Sequence, residues 1–422
     1  MELQPPRGTQ DVLGADADRL VELYEASHAI AHLFGFRYLE TPTFEHTELF
    51  ARTSGETSDV VTKEMYSFED KGGRPLTLRP ESTAGVVRAY LRHAHDLPTP
   101  YKGYYVGRHF RHGRPQAGRF REFRQFGIEV IGVAGPDADV DVLVLGERFV
   151  RERGVRSYAL HLNSIGDENC RPAYREELIG YFEPYIEQLD EDCRTRLARN
   201  PMRVFDCKVD GRKDFVLVAP TISDRLCGPC AEHFAGVCDG LDDAGVKYEL
   251  DPRLVRGLDY YTRTAFEWVS TNEDSLQAAT FNAGGRYDGL AEALGGPATP
   301  GVGFAMGLDR VALAMTREGV PPAAARASRC FVVAVGDGDA RAAARDLVER
   351  LRDAGIAAER SYEDRPLKAQ LKMADHAGAA YAAILGDREL ADGVVTLRRM
   401  ADGEQDSVPA DRLAERLGEG DA

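Results

Sequence analysis

Apolar residues recur at helical spacing between Asp16 and Phe34 and stop at Gly35, which predicts an amphipathic helix behind the turn-like stretch Arg7-Gly-Thr-Gln-Asp11. The pattern then shortens. Phe36-Arg-Tyr-Leu-Glu-Thr-Pro42 predicts a strand closed by a proline, and Leu76 to Pro80 a second strand that runs into a helix. Tyr104–Arg111 and Arg119–Ile131 read as the two arms of a hairpin, joined by the Gly/Pro-containing loop His112–Gly118. Ala138–Gly154 predicts a helix and Tyr158–Leu162 a strand, and from about 170 to 250 the chain turns helical and charge-rich. A turn at Arg256–Tyr261 feeds an apolar, aromatic strand as far as Trp268, and Gly301–Arg310 predicts a glycine-spaced strand entering a helix. Gly319–Ser328 reads as a linker. Beyond it, strands at 330–335, 356–360, 381–385 and 394–398 alternate with helices at 340–354 and 367–377, the pattern of a compact α/β domain.

With 422 residues the chain has room for two or three domains and a sizeable core. The division expected is residues 1–325, interrupted by a helical insertion at 170–250, and residues 326–422. A hydrophobic fraction of 43% with 29% charged residues is ordinary for a globular protein. No apolar run reaches the length of a membrane span, and the N-terminus has no apolar signal core, so the expected setting is the cytoplasm, away from membranes. A net charge of −16 argues against indiscriminate binding to nucleic acid, although a local basic site can still hold phosphates.

Such a basic site exists. Between positions 108 and 124 stand six arginines, two histidines and one acid, Glu122. A solvated sheet edge can carry charges, but so many guanidinium groups on one hairpin favour phosphate ligands. Gln125 and Glu129 lie four apart on the returning strand and share a face with apolar neighbours close by, so they need polar partners. Glu81 and Thr83 stand at a helix start, where capping is the ordinary role. Phe281-Asn-Ala-Gly-Gly-Arg-Tyr-Asp288 supplies glycines that allow a close backbone approach to a ligand.

Six of the seven cysteines fall between 170 and 238. Unligated, reduced thiols are the first reading of them. Cys227-Gly-Pro-Cys230 is also half of a zinc pattern, which Cys207 and one of Cys170, Cys193, Cys238 or His233 would complete. The same tetrapeptide is familiar from redox-active thioredoxins, but no thioredoxin-like βαβ context surrounds it.

Arg256-Gly-Leu-Asp-Tyr-Tyr261 together with Asn282-Ala-Gly-Gly-Arg-Tyr-Asp288 resembles the two histidine-specific signatures of the histidyl-tRNA synthetases. The helix–glycine–strand–proline opening, the Phe-Arg…Arg-Phe-Arg-Glu-Phe hairpin and Gly301-Val-Gly-Phe-Ala-Met-Gly-Leu-Asp-Arg310 resemble motifs 1, 2 and 3 of class II synthetases, in that order. The resemblance covers nearly the whole chain. It implies an α+β fold: an antiparallel sheet flanked by helices, a helical insertion near the tRNA acceptor arm, and a C-terminal α/β anticodon-binding domain, assembled as a homodimer. It implies ATP-dependent ligation of L-histidine to tRNA(His) through histidyl-adenylate, with Mg2+ accompanying ATP. Glu81, Thr83 and Gln125 would hold the α-ammonium group of histidine. Glu129 and Tyr261 would meet its imidazole, with Tyr260 and Tyr287 beside them. Arg111 and Arg256 would serve the reacting α-phosphate as the catalytic pair, Arg111 also gripping the histidine carboxylate. Arg121 would join them at ATP, Arg310 would bind the γ-phosphate, and Arg114 and Gln116 would reach the tRNA acceptor end. Zinc is not required by the family. A second reading is the non-catalytic regulatory subunit of ATP phosphoribosyltransferase, which shares the fold but typically loses the Arg256 turn and the C-terminal domain, both kept here. A third, an RNA-binding module without chemistry, is at odds with the full set Arg111, Arg256 and Arg310.

Overall fold

Gly35 decides where the first element ends and which way the chain leaves it. Helix α1 (Ala15–Leu33) buries Leu20, Leu23, Ile30 and Ala31 along one face. Gly35 then takes a φ of +77°, and its N–H and that of Phe36 return to the carbonyls of His32 and Ala31, a closing geometry that a side chain at this position would strain. The computed structural model describes residues 3–54, 63–272, 280–322, 329–336 and 338–418. Among them, the chain forms two compact units, Met1–Pro321 and Pro322–Ala422. The expected boundary at 325–326 lies outside the described residues.

In the first unit, β1 (Arg37–Tyr38) is shorter than the strand expected over 36–42. After it come β2 (Phe44–His46), α2 (Thr47–Ser54), β3 (Tyr66–Glu69), β4 (Pro75–Leu78), α3 (Thr83–His93), β5 (Tyr101–Phe110), β6 (Glu122–Ile131), α4 (Asp137–Glu152) and β7 (Tyr158–Ser164). The helices α5 (Arg171–Phe182), α6 (Glu191–Arg199), α7 (Asp214–Leu217) and α8 (Gly228–Asp243) follow. The chain then returns through β8 (Glu249–Leu250), β9 (Thr262–Ser270), β10 (Thr280–Arg286), α9 (Leu290–Ala293), β11 (Gly301–Gly307) and α10 (Leu308–Arg317).

Eight of these strands form one sheet in the order β1-β5-β6-β11-β10-β9-β7-β8, antiparallel except for the outermost pairs β1–β5 and β7–β8; β2, β4 and β3 form a small antiparallel sheet. The alternation along β6 sorts its side chains. Phe126, Ile128 and Val130 join α1, α4 and α10 in the largest hydrophobic cluster. Gln125, Gly127 and Glu129 face the other way. The α+β class with a predominantly antiparallel sheet is therefore observed.

The 170–250 region is helical as expected but splits by packing. Tyr174, Leu178, Phe182, Leu197, Val204 and Val216 form a cluster of their own, whereas Val237 and Leu241 of α8 join the main core. Helix α8 thus belongs to the sheet domain although its sequence continues the charged, cysteine-bearing character of the insertion.

The second unit contains β12 (Cys330–Ala334), α11 (Gly338–Asp353), β13 (Ala358–Arg360), α12 (Leu367–His376), β14 (Tyr381–Leu385), α13 (Asp387–Asp392), β15 (Val394–Arg399), β16 (Gln405–Pro409) and α14 (Leu413–Gly418). Its mixed sheet runs β13-β12-β14-β15-β16. Strand β12 is apolar at every position because both faces are covered: Cys330 and Val332 meet α11, and Phe331 and Val333 meet the α12 side. Strand β16 and helices α13 and α14 had no clear periodic signal.

Candidate functional site

The open face of β6 is the floor of a cleft lined by Glu81, Thr83, Arg111, Gln125, Arg256, Tyr260, Tyr261 and Arg310. These residues come from the start of α3, the β5–β6 hairpin, the turn before β9 and the start of α10, so stretches up to 229 positions apart in sequence (Glu81 to Arg310) meet here. Glu129 and Tyr287 lie directly behind the lining. Thr83 Oγ1 donates to Glu129 Oε1 at 2.8 Å, and the Tyr287 hydroxyl donates to Glu129 Oε2 at 2.5 Å. Glu129 is 1% exposed, and burial lifts its carboxyl to about 8 against the pull of those two hydroxyls.

Glu81 takes the capping role and also stands at the edge of the cleft. Its carboxylate accepts from the backbone N–H groups of Thr83 at 2.6 Å and Ala84 at 3.1 Å, capping α3 from outside. In the cleft, burial raises its pKa against the pull of the Ala84 and Thr83 N–H groups and, less strongly, of the Arg111 guanidinium.

Arg111, Arg256 and Arg310 reach the cleft from different elements. Arg111 is aimed by a bond from its Nε to the Pro80 carbonyl at 2.8 Å and lies over the Phe123 ring. Arg256 pairs with Glu267 and lies 5.2 Å over the Tyr261 ring, while Glu267 also accepts from Thr280 Oγ1 at 3.0 Å. Arg310 bonds the Gly118 carbonyl at 3.1 Å; burial, then Arg119 and Arg111 nearby, lower its pKa to about 10. Like charges gathered in a sheltered place are costly unless an anion joins them.

Other basic residues are spent on structure. Arg124 forms a buried pair with Asp309 at 2.8 Å, fixing β6 to α10. Arg286, fully buried, holds Asp139 of α4 and Asp288. His109 is kept neutral by burial and by Arg79 and Arg111, and contacts Ser82 Oγ at 2.7 Å. Arg121 turns toward the Arg7 and Gly113 carbonyls beside the Gly8 turn, whereas Arg119, paired with Glu64 at 2.6 Å, lines the cleft. Arg114 is exposed on the hairpin loop, and Gln116 forms its tip with Arg119.

Sequence reasoning missed Arg119 and Tyr105. The Tyr105 hydroxyl is buried without a hydrogen-bond partner, as are Gln125 Oε1 and Arg256 Nε. Buried polar atoms of this kind, grouped at one cleft, are what a polar ligand would satisfy. The register of the sheet was the missing signal. Gly127 on β6 stands opposite Tyr105, and a Cβ there would lie 2.2 Å from the tyrosine ring.

The glycines have a different use from the close ligand approach expected of them. A Cβ on Gly303 would sit 2.0 Å from Glu129 Oε2, and one on Gly301 2.2 Å from the Tyr287 ring. The Gly-x-Gly of β11 therefore clears space for the two side chains behind the cleft. Gly284 and Gly285 of β10 lie against Phe266 and the Tyr261 ring in the same way.

The cysteines form two groups. Cys170, Cys227 and Cys230 gather with Asp167, and Cys193 and Cys207 with Asp190 and Asp210. Cys207 is thus separated from the Cys227/Cys230 pair that it would have completed in the alternative zinc reading. His233 contacts Asp139 at 3.4 Å and Cys238 packs against the main core.

A family model described as "Histidyl-tRNA synthetase" matches residues 8–166 and 224–311, and one described as "Anticodon binding domain" matches 329–419. The first match skips the segment whose side chains form the insertion's own cluster. The chain is 47% identical over 405 residues to the histidine–tRNA ligase of Moorella thermoacetica, covering 96% of this chain and 95% of that one. It is 46% identical over 404 residues to the histidine–tRNA ligase of Desulforamulus reducens, covering 96% of each. Among solved structures, it matches apo S. aureus histidyl-tRNA synthetase with a TM-score of 0.84 and 37% identity, over 99% of this chain and 100% of that one.

Proposed function

The chain belongs to the histidyl-tRNA synthetase family, and from that membership we propose how its cleft carries out the family's reaction. The enzyme ligates histidine to tRNA in two steps, with ATP consumed in the first. The histidine carboxylate attacks the α-phosphorus of MgATP, pyrophosphate leaves, and histidyl-adenylate remains. A ribose hydroxyl at the tRNA 3′ end then takes the histidyl group and AMP leaves.

The observation that carries the residue assignment is a buried carboxylate, Glu129, directly behind a cleft on which Arg111, Arg256 and Arg310 converge. Imidazole offers two nitrogens, and a buried carboxylate beside one of them favours the protonated ring. Glu129 and Tyr261 take the two ring nitrogens, flanked by Tyr260 and Tyr287. Glu81, Thr83 and Gln125 hold the α-ammonium, for which a carboxylate gives a charge-assisted bond. Arg111 orients the histidine carboxylate against the α-phosphate, and Arg256 stabilises the charge that grows there without giving up a proton. Arg310 holds the γ-phosphate; Arg119 adds a cation on the same side, and Arg121 supports the hairpin from behind. Arg114 and Gln116, at the hairpin tip, meet the tRNA acceptor end. Residues 326–422 bind the anticodon, two chains form the dimer, and the setting is the cytoplasm.

The direct test is ATP–pyrophosphate exchange across a panel of amino acids. Exchange is expected with histidine and with no other. Silence with every amino acid, in folded protein, would favour the non-catalytic regulatory reading.

Gly303→Ala tests the pocket from behind. The added methyl group meets Glu129 Oε2 and the Ile128 carbonyl, so either the carboxylate or the strand must shift; overpacking of this kind costs about 1–3 kcal/mol. The KM for histidine is expected to rise by at least about tenfold with the KM for ATP little changed, the pattern of lost ground-state binding. A lower melting temperature with an unchanged histidine KM would remove Glu129 from the pocket.

A further inference from the structure

Four side chains converge where the helical insertion leaves and rejoins the sheet domain, and the cleft uses none of them. Asp167-Glu-Asn-Cys170 leads into α5 and Cys227-Gly-Pro-Cys230 leads into α8, so the chain supplies two pairs with the same two-residue spacing. One ligand atom from each of Asp167, Cys170, Cys227 and Cys230 lies within 4.8 Å of the other three. Asp167 Oδ1 is 3.5 Å from the Cys170 sulfur and 3.8 Å from the Cys227 sulfur. A tetrahedron built on zinc–sulfur bonds of ~2.3 Å has edges of roughly 3.8 Å. The spacing therefore fits a four-coordinate ion with little movement.

The surroundings fit as well. The backbone N–H of Cys227 donates to the Cys170 sulfur at 3.1 Å, and the N–H of Cys230 is directed at the Cys227 sulfur. Such outer hydrogen bonds hold ligand atoms in place. Arg263 Nη2 lies 3.4 Å from Asp167 Oδ2, and Arg171 stands beside Asp167, Cys170 and Cys230. Three thiolates and one carboxylate around a divalent ion leave two negative charges, which these two guanidinium groups face.

The second cysteine group carries less. It has two thiols, Asp190 there caps α6 through the Cys193 N–H at 2.6 Å, and Lys213 neutralises Asp210 at 2.7 Å.

We propose that Asp167, Cys170, Cys227 and Cys230 bind one structural zinc ion that clasps the two ends of the helical insertion. Zinc is favoured by the ligands: three soft sulfurs and one carboxylate with no open position. On binding, the three thiols release their protons and no electron is transferred. The clasp joins residues 57 apart in sequence, Cys170 and Cys227, and so fixes the insertion at its neck. It also reaches the cleft: Arg263 Nη2 bonds Asp167, the Arg263 backbone pairs with Ile165 and Gly166, and Arg171 bonds the Tyr261 carbonyl.

The test is metal content of the full chain purified under reducing conditions without chelator. About one zinc per chain is expected, lost from the Cys227→Ser/Cys230→Ser double variant and kept by Cys193→Ser/Cys207→Ser. Cobalt loaded into metal-free, reduced protein is expected to show thiolate-to-cobalt charge transfer and the visible bands of a tetrahedral site. Because removing two thiols can unfold the insertion, Cys230→His serves as the second variant; it keeps a ligand atom, retains the metal and moves the cobalt bands. Reduced wild-type chain that takes up neither metal would overturn the proposal. So would metal unaffected by the Cys227/Cys230 substitutions, an unmoved cobalt spectrum in Cys230→His, or a Cys227–Cys230 disulfide in native, metal-free protein.

Discussion

Replacing Arg256 by Ala is expected to lower histidine-dependent ATP–pyrophosphate exchange by about 10²- to 10³-fold, the usual cost of removing one preorganised group aimed at developing charge. Histidine affinity, measured by calorimetry, is expected to change by no more than about threefold, since the loss falls on the transition state. Arg256 is held between Glu267 and the Tyr261 ring, so its guanidinium is fixed before any nucleotide arrives. Its removal does more than delete a positive charge. Among the described residues, Glu267 keeps the hydrogen bond from Thr280 and the nearby charge of Arg310 but loses its ion pair, and so presents a less compensated carboxylate to the incoming phosphates. Lys at this position restores charge without the planar fork and should recover only part of the loss. Equal falls in exchange and in histidine affinity would reassign Arg256 from the phosphate to the amino acid.

The second large effect is expected at Glu129. Thr83 and Tyr287 both donate to its carboxylate. In Glu129→Gln the amide nitrogen must face one of those hydroxyls, which then has to turn and accept, and the charge opposite imidazolium is gone. Truncating one side of a buried, hydrogen-bonded charge pair costs roughly 2–5 kcal/mol, so kcat/KM for histidine should fall by about 30- to several-thousand-fold. An unchanged value would sink the assignment of Glu129 to the imidazole.

The same variant has a signature in pH. In the free chain burial raises Glu129 from 4.5 to about 8. Below 4.5 folded and unfolded chains both carry the proton. Between 4.5 and about 8 the unfolded chain has released it while the folded chain still holds it, so this group's contribution to stability falls as pH rises and is smallest above about 8. The ligand-free melting temperature of the parent is therefore expected to fall more steeply across that window than that of Glu129→Gln. Parallel curves would show that Glu129 titrates normally. Glu81, also raised by burial, acts in the same direction in both proteins, and its repulsion of Glu129, present only in the parent, adds to the parent's steeper fall.

Much of the site could be read from local pattern. Gln125 and Glu129 share a face because strands repeat every two residues, and both are buried on the cleft side of β6. The six arginines of 108–124 led to the expectation of a phosphate site, with Arg111 and Arg121 placed at ATP by the resemblance. Arg111 and Arg119 face the cleft, Arg124 is taken by Asp309, and Arg121 turns to the Gly8 turn. Nothing adjacent in sequence marks that difference, since Asp309 lies 185 positions from Arg124. The grouping of the cysteines stayed open for a related reason: Cys170, one of four candidates to join Cys227 and Cys230, does so, while Cys207 falls in the other group. An Asp-x-x-Cys pair does not look like half of a metal knuckle until the fold sets it against Cys227 and Cys230.

Periodicity, glycine and proline punctuation and motif order are local properties of the chain, so most of its strands and helices, the α+β class and the family could be read from them. Which charges line the cleft and which are neutralised, what the β11 glycines make room for, and which cysteines are neighbours were settled by the fold. Those outcomes depend on the strand order β5-β6-β11-β10 and on the packing of α8 against the sheet. Both bring together residues far apart in sequence, and a side chain's role follows from the partners it finds there.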